Sequence, residues 1–308
     1  MTNIVVSALL RFIDRESADH ARANCPICID YRVPSPHQEL KDEIVECLIH
    51  DARPSAAQLT LESSGFQLVR RPSGVRDWFD SDEVIRVYYE ECKALARDLT
   101  GASHAFTFDH LIREPGRQTG GGGLFKRDIV TTAERGGGYI SVVHMDYTDS
   151  STWREYLGLH GVSEPEGASR AIVLNFWRPL FGTAERQPLA LCDARTVCSD
   201  DLLEMMVYGY GHKGYSWHDI GISVYQVARS PKQQWFYYSN MVPDEVLLIK
   251  TYDSLGVVGR GCPHTSFTNN AAPSTLPERR SVELRVLCYI DKQPPLTGGA
   301  HALLAASN

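Results

Sequence analysis

The chain has 308 residues, 43% apolar and 22% charged, so it can bury a core as one large domain or two small ones and is not a disordered chain. A formal charge of -7 and a pI near 5.9 argue against nucleic acid or an anionic membrane surface as the main partner. No apolar run approaches a bilayer span and the N-terminus lacks a signal-peptide pattern, so a soluble, cytoplasmic protein is expected.

In chain order, the stretch from Asn3 to about Val33 reads as extended, and Tyr31–Pro36 as a turn or linker. Apolar spacing at Leu40, Ile44, Val45 and Leu48 predicts a helix from about His37 to His50, with Pro54 ending it. Gly65–Arg70 reads as a short strand. Asp80 with Glu83 three residues later has the pattern of a capping box, opening a helix to about Leu99 that Gly101 closes. His104–His110 alternates as a strand should, and Arg117–Gly123 is expected to be a mobile loop. Ser151 to about Leu159 is expected as a helix, and Ser163–Ala168 as polar loop.

A long strand follows at Ala171–Leu180. Ile172, Leu174 and Phe176 take one face; Val173, Asn175 and Trp177 take the other. Asn175 and Trp177, with Arg178 beside them, suit the wall of a polar pocket, although a buried asparagine satisfied by backbone fits equally. Pro188–Arg195, a short helix near Asp200–Tyr208, and strands near Ile222–Val227, Gln234–Tyr238 and Glu245–Lys250 complete this part. Strand signals dominate from Phe106 onward, whereas the two best helices precede it. The expected class is mainly β (α+β), a double-sheet jelly roll with helices packed outside, mostly from the N-terminal third. As boundaries we take one domain over 1–308, with a helix-rich part at 1–103, the jelly-roll core at 104–292 and a C-terminal tail at 293–308.

Of the eight cysteines, Cys25 and Cys28 have metal or redox spacing. No second pair follows at zinc-ribbon distance, so they carry no assignment.

The chemistry starts at Tyr139–Asp146, which reads as a strand ending in His-x-Asp. His144 and Asp146 then leave the backbone on the same side, giving two thirds of a 2-His-1-carboxylate triad with open positions for Fe(II) chemistry. Downstream stand His264, then Arg279 and Ser281 at the opening of a hydrophobic strand. That order resembles 2-oxoglutarate-dependent iron oxygenases: a guanidinium fork grips a carboxylate, and a hydroxyl two residues on assists it. His212 and His218 are the alternatives for the second imidazole.

From about residue 60 onward the chain also resembles the hydroxylase/desaturase family typified by AsaB, which includes gibberellin desaturase-like and cephem methoxylase-like proteins. The resemblance rests on Gly65–Val69, Tyr88-Tyr89, Thr100–Ala102, Phe108–His110, Val143–Asp146, Asn175–Leu180, Pro188–Asp193, Tyr238–Val246, Pro263–Phe267 and Arg279–Arg285. Phe176 stands where valine is usual and could alter the pocket; Arg280 stands where glutamate is usual. The separation of His144 from His264 is also wide for the superfamily.

The resemblance implies a double-stranded β-helix binding Fe(II), 2-oxoglutarate and O2. It places His144, Asp146 and His264 as metal ligands and Arg279 with Ser281 as the cosubstrate clamp; Asn175 and Arg178 are further candidates for the pocket wall. The implied reaction is hydroxylation, desaturation or oxidative cyclisation of a small natural-product intermediate or modified amino acid, releasing succinate and CO2. A zinc hydrolase on the same ligands and a silent jelly-roll binding module are the alternatives. Substrate identity and oligomeric state are not legible. Arg178, Arg195 and Arg285 suit either a substrate carboxylate or structural ion pairs.

Overall fold

The computed structural model describes residues 4–23, 28–30, 40–115, 117–121, 129–132, 139–151, 158, 162–208, 221–256 and 261–291. Among them the strands are, first, β1 (Val5–Ile13), β2 (Cys28–Asp30), β3 (Asp42–Asp51), β4 (Phe66–Arg70), β5 (His104–Glu114) and β6 (Arg117–Gly121). Then come β7 (Ile129–Thr132), β8 (His144–Met145), β9 (Ala168–Pro179), β10 (Leu189–Cys192) and β11 (Leu202–Tyr208). The last are β12 (Ile222–Val227), β13 (Trp235–Tyr237), β14 (Glu245–Asp253), β15 (His264–Ser266) and β16 (Ser281–Asp291). They form two sheets, one ordered β1-β3-β13-β10-β15-β8-β12-β11-β2 and the other β4-β14-β9-β16-β5-β6-β7. This is the expected double-sheet jelly roll.

The second sheet has two well-defined faces because its central strands alternate. Leu174, Phe176, Leu248, Val282, Leu284 and Val286 point outward and pack against Tyr88, Tyr89, Cys92, Leu95 and Ala96. Those residues belong to a helix that opens at α2 (Ser81–Glu83), widens through one π turn at Val84–Tyr88 and continues as α3 (Tyr89–Thr100). Burial of each large apolar side chain here contributes about 1.5–3 kcal/mol. Asp80 caps the helix as expected, accepting from the amides of Asp82 and Glu83. Glu83 does not reach back to it; its carboxylate accepts from Arg76 and Asp77 instead. Gly101 closes α3 at φ 69°, a left-handed conformation that suits glycine.

Several expectations are corrected. The helix expected at His37–His50 is β3, paired antiparallel with β1 from Val5↔His50 to Ile13↔Asp42. Ile44 and Leu48 fit one helix face, but they also share a strand face, and here they lie exposed while Cys47 and Ile49 point inward. Long-range pairing with β1 overrides the helical spacing. The reading of 3–33 as extended holds for β1 but not for α1 (Arg15–Ala23), where the Asp14 carboxylate accepts from the Ser17 amide as an N-terminal cap. The loop expected at Arg117–Gly123 is β6 over 117–121, held between β5 and β7. The helix expected near Asp200–Tyr208 is a 3-10 turn at Ser199–Asp201 leading into β11, whose inward positions Leu203, Met205 and Val207 alternate with period two. Most of Ser151–Leu159, and Tyr31–Pro36, Cys25, His212, His218 and the tail at 293–308, lie outside the described residues. No helix among the described residues is long and apolar enough to cross a membrane.

Candidate metal centre

The short strand β8 sits between β15 and β12, and this neighbourhood builds the site. His144 is directly opposite His264 in the ladder. Residues directly opposite on adjacent strands point to the same face, so two histidines 120 positions apart bring their ring centroids to 4.6 Å. The His-x-Asp stretch is less regular than its alternation suggests: only His144 and Met145 pair in the ladder, and Asp146 occupies a bend just beyond. Its Oδ1 nevertheless lies 3.5 Å from His144 Nε2. One ligand atom from each of His144, Asp146 and His264 lies within 4.8 Å of the others.

The protonation of both imidazoles follows from their backbone contacts. His144 Nδ1 lies 2.7 Å from the Val142 carbonyl, and His264 Nδ1 lies 3.0 Å from the Cys262 carbonyl. A carbonyl can only accept, so each Nδ1 carries a proton, and in the neutral ring Nε2 is then the nitrogen left to bind a metal. Burial, with His144 beside it, pushes the His264 pKa down to about 4, which keeps the ring neutral at physiological pH. Burial alone would raise the Asp146 carboxyl; the Arg285 guanidinium above all, with His144 and His264, holds it well below the usual carboxylate range. Two imidazoles and one carboxylate match the donor set that favours non-haem Fe(II).

Behind the triad, the second sheet presents polar side chains on its inner face. Ser281, Glu283 and Arg285 alternate inward along β16. Across the ladder stand Trp177 opposite Glu283 and Asn175 opposite Arg285 on β9, with Arg113 opposite Ser281 on β5. Arg279 lies just before β16, buried at 2% exposure, with its guanidinium 4.1 Å from the Tyr139 ring and 5.3 Å from the Trp177 ring. It donates to the Gln187 carbonyl at 2.8 Å and the Ser266 hydroxyl at 3.3 Å, while the Tyr139 hydroxyl donates to the Arg279 backbone carbonyl. Burial lowers Arg279 to about 10, which leaves it cationic at neutral pH.

One cavity is lined by His144, Asp146 and His264 together with Arg113, Asn175, Trp177, Arg279, Glu283 and Arg285. The buried Nε of Arg279, Oγ of Ser281 and Oδ1 of Asn175 have no hydrogen-bond partner within the protein. Such orphaned groups are costly unless a ligand satisfies them. The carboxylate of an organic acid supplies acceptors for the Arg279 guanidinium, so the residues that line the cavity fit 2-oxoglutarate as well as the metal, while Ser281, at the start of β16, is not among the residues that line it.

Arg178 is not part of this site. It follows Trp177 by one residue on β9 and so points to the opposite face. There its guanidinium lies 5.0 Å from the Tyr88 ring and 5.8 Å from the Trp78 ring, donating to the Arg71 and Pro243 carbonyls. Phe176 is likewise on the outer face, in the core against α3, and does not shape the pocket. Arg195 pairs with Asp193, and Trp235 and Tyr237 are core. Sequence reasoning missed Arg113 and Glu283, which join in a buried ion pair at 2.6 Å. The alternation Ser281-Val282-Glu283-Leu284-Arg285-Val286 carried a signal for Glu283 alone: charges at every second position of a hydrophobic strand mark a buried polar face, whereas Arg113 lies on another strand.

Comparison with known proteins agrees with this geometry. A family model described as "Oxidoreductase/YMDC permease-like domain" matches residues 10–289. The hydroxylase/desaturase efuI of Hormonema carpetanum is 32% identical over 256 residues, 80% of this chain and 84% of that protein. The hydroxylase/desaturase asaB of Aspergillus flavus is 40% identical over 133 residues, 41% of this chain and 58% of that one. Among solved structures, a variant of the iron and alpha-ketoglutarate-dependent endoperoxidase NvfI superposes with a TM-score of 0.72 at 24% identity, covering 95% of this chain and 100% of the other.

Proposed function

Because the chain belongs to the hydroxylase/desaturase family of non-haem Fe(II)/2-oxoglutarate-dependent oxygenases, we propose that it oxidises a small organic molecule by hydroxylation, desaturation or oxidative ring closure. The observation that carries the reading at the level of residues is the meeting of two imidazole nitrogens and one carboxylate oxygen in a cavity that is also lined by Arg279, whose buried Nε has no partner within the protein. In this reading His144, Asp146 and His264 hold Fe(II), and Arg279 with Ser281 holds the far carboxylate of 2-oxoglutarate. Asn175, with its unpartnered Oδ1, faces the ligand from the neighbouring strand.

When bound, Fe(II) and 2-oxoglutarate supply the activation of O2 that removes hydrogen from the substrate, with succinate and CO2 as coproducts. The chain's own contribution is preorganisation. The Val142 and Cys262 carbonyls fix both imidazole tautomers, so no ring has to reorient for a metal to bind. Tyr139 and Trp177 pack on the Arg279 guanidinium and restrict its rotamers, so less entropy is lost when a carboxylate arrives. Burial of Arg279, Glu283 and His264 excludes bulk water and strengthens each of these charged contacts. The names of the relatives cover hydroxylation, desaturation and endoperoxide formation, and substrate placement selects among such outcomes.

The test is succinate formation. Purified protein supplied with Fe(II), ascorbate, O2 and 2-oxoglutarate converts 2-oxoglutarate slowly to succinate even without its substrate, and His144→Ala abolishes this. A wild-type protein that binds iron but releases no succinate contradicts the proposal. Zinc-dependent hydrolysis without succinate identifies the hydrolase instead.

A further inference from the structure

We propose that Arg285 is a positioning residue for the Asp146 carboxylate. The buried Glu283–Arg113 pair holds it in place, so that Asp146 offers one fixed oxygen to the metal. The inference rests on the triad reading above and assigns a role to three charged residues which that reading leaves unused.

The contacts form a chain. Arg285 Nε donates to Asp146 Oδ2 at 3.1 Å. The opposite oxygen, Oδ1, is the one beside His144 Nε2. Arg285 NH2 donates to Glu283 Oε1 at 3.5 Å, and the same oxygen accepts from Arg113 NH2 at 2.6 Å. Side-chain exposure falls from 14% at Arg285 to 9% at Asp146, 8% at Glu283 and 4% at Arg113, so water does not compete for these contacts. Strand geometry produces the line. Glu283 and Arg285 share a face of β16 by their period of two, Arg113 stands across the ladder from Ser281, and Asp146 enters from the bend after β8 in the facing sheet.

The consequence is specific to an arginine. Asp146 follows a two-residue strand and lies outside the ladder, so its backbone does little to orient the carboxylate. A planar guanidinium can donate through Nε in one direction and NH2 in another at the same time; a lysine ammonium carries the charge without that fork. With Oδ2 committed to Arg285, the carboxylate cannot swing to present both oxygens toward the histidines. The two guanidiniums also balance the two carboxylates, so this group of four side chains is neutral in itself before an ion arrives. Two of the five Arg285 donors, Nε and one on NH2, are thereby committed to carboxylates of the protein itself.

The experiment is a Co(II) titration of the full chain without 2-oxoglutarate. It reads the dissociation constant and the intensity of the visible d–d absorption, which reports coordination number. Wild type, Arg285→Lys and Glu283→Gln are compared, each with a circular-dichroism melt. Arg285→Lys is expected to fold, to bind Co(II) about 10- to 100-fold more weakly, and to show a weaker d–d absorption as the carboxylate loses its fixed orientation. Glu283→Gln is expected to shift both readouts the same way by less. A folded Arg285→Lys protein with wild-type affinity and spectrum overturns the proposal. Should Arg285→Lys fail to fold, wild-type affinity and spectrum in Glu283→Gln overturn it. A wild type that binds no Co(II) removes the triad reading itself, a result distinguishable from tight wild-type binding with indifferent variants.

Discussion

Two buried arginines near the same strand have opposite jobs, and separating them tests the division between the faces of the second sheet. Arg178 and Arg279 are 3% and 2% exposed. Arg178 donates to two backbone carbonyls at 2.9 and 3.2 Å and packs on Tyr88 and Trp78, all outside the cavity. Charged hydrogen bonds contribute about 1.5–3 kcal/mol each and a cation–π contact about 0.5–2. Truncation also releases a desolvated cation, so Arg178→Ala is expected to cost about 3 kcal/mol net rather than the full sum. At about 2–4 °C per kcal/mol for a chain of this size class, Tm falls by about 6–12 °C, while 2-oxoglutarate affinity stays within about twofold of wild type. Arg279→Ala is expected to behave in the opposite way at the ligand. Removing one partner of a buried charged contact costs about 2–5 kcal/mol of binding, or about 30-fold and upward in affinity. The assay is calorimetric titration of 2-oxoglutarate into Mn(II)-loaded protein, beside thermal melts of each variant. Tenfold weaker 2-oxoglutarate binding in Arg178→Ala, with Arg279→Ala unaffected, would refute the assignment of faces.

Three further outcomes are expected. Gly261→Ala places a Cβ 2.5 Å from Met145 Cε and 2.9 Å from the Thr251 carbonyl oxygen, next to β8 and two residues before Pro263-His264. It should cost about 1–3 kcal/mol in a melt and weaken metal binding together with stability. Asp80→Ala removes the cap of the helix packed outside the sheet and should cost about 1 kcal/mol with metal affinity unchanged. Asp109 is raised to about 6 by burial, with Glu283 and Asp146 adding to the rise and Arg285 and Arg113 opposing it. The native state therefore holds its proton where the unfolded chain has lost it, and the Asp109 contribution to apoprotein stability declines as pH rises from about 4 to about 6. Asp109→Asn should flatten that decline, with its advantage over wild type growing through this window to at most about 3 kcal/mol above pH 6. A stability difference independent of pH between 4 and 6 would show that Asp109 does not titrate there.

The site was more legible than the scaffold that carries it. His144, Asp146, His264 and Arg279 could be read because the chemistry restricts residue types and order, and the structure brings all four to one cavity. Arg178 is next to Trp177 in sequence, which on a strand means the opposite face, whereas Asn175 and Trp177, two positions apart, share the face that lines the cavity. Charged pairs such as Arg113–Glu283 depend on which strands become neighbours, a matter of topology that spacing along one strand does not carry. β3 was misread for a related reason. Ile44 and Leu48 satisfy both a helical and a strand period, and only the partner strand β1 decides between them. The cap at Asp14, by contrast, was present in the sequence and overlooked beside a strand that ends at Ile13.

The measurement that bears most directly on the proposed centre is anaerobic addition of Fe(II) and then 2-oxoglutarate to the purified apoprotein. The visible charge-transfer absorption of the chelate is followed in wild type and in His264→Ala. The proposed triad predicts a band in the wild type that is absent from His264→Ala. Iron-loaded wild type without a band, or an undiminished band in His264→Ala, would contradict it.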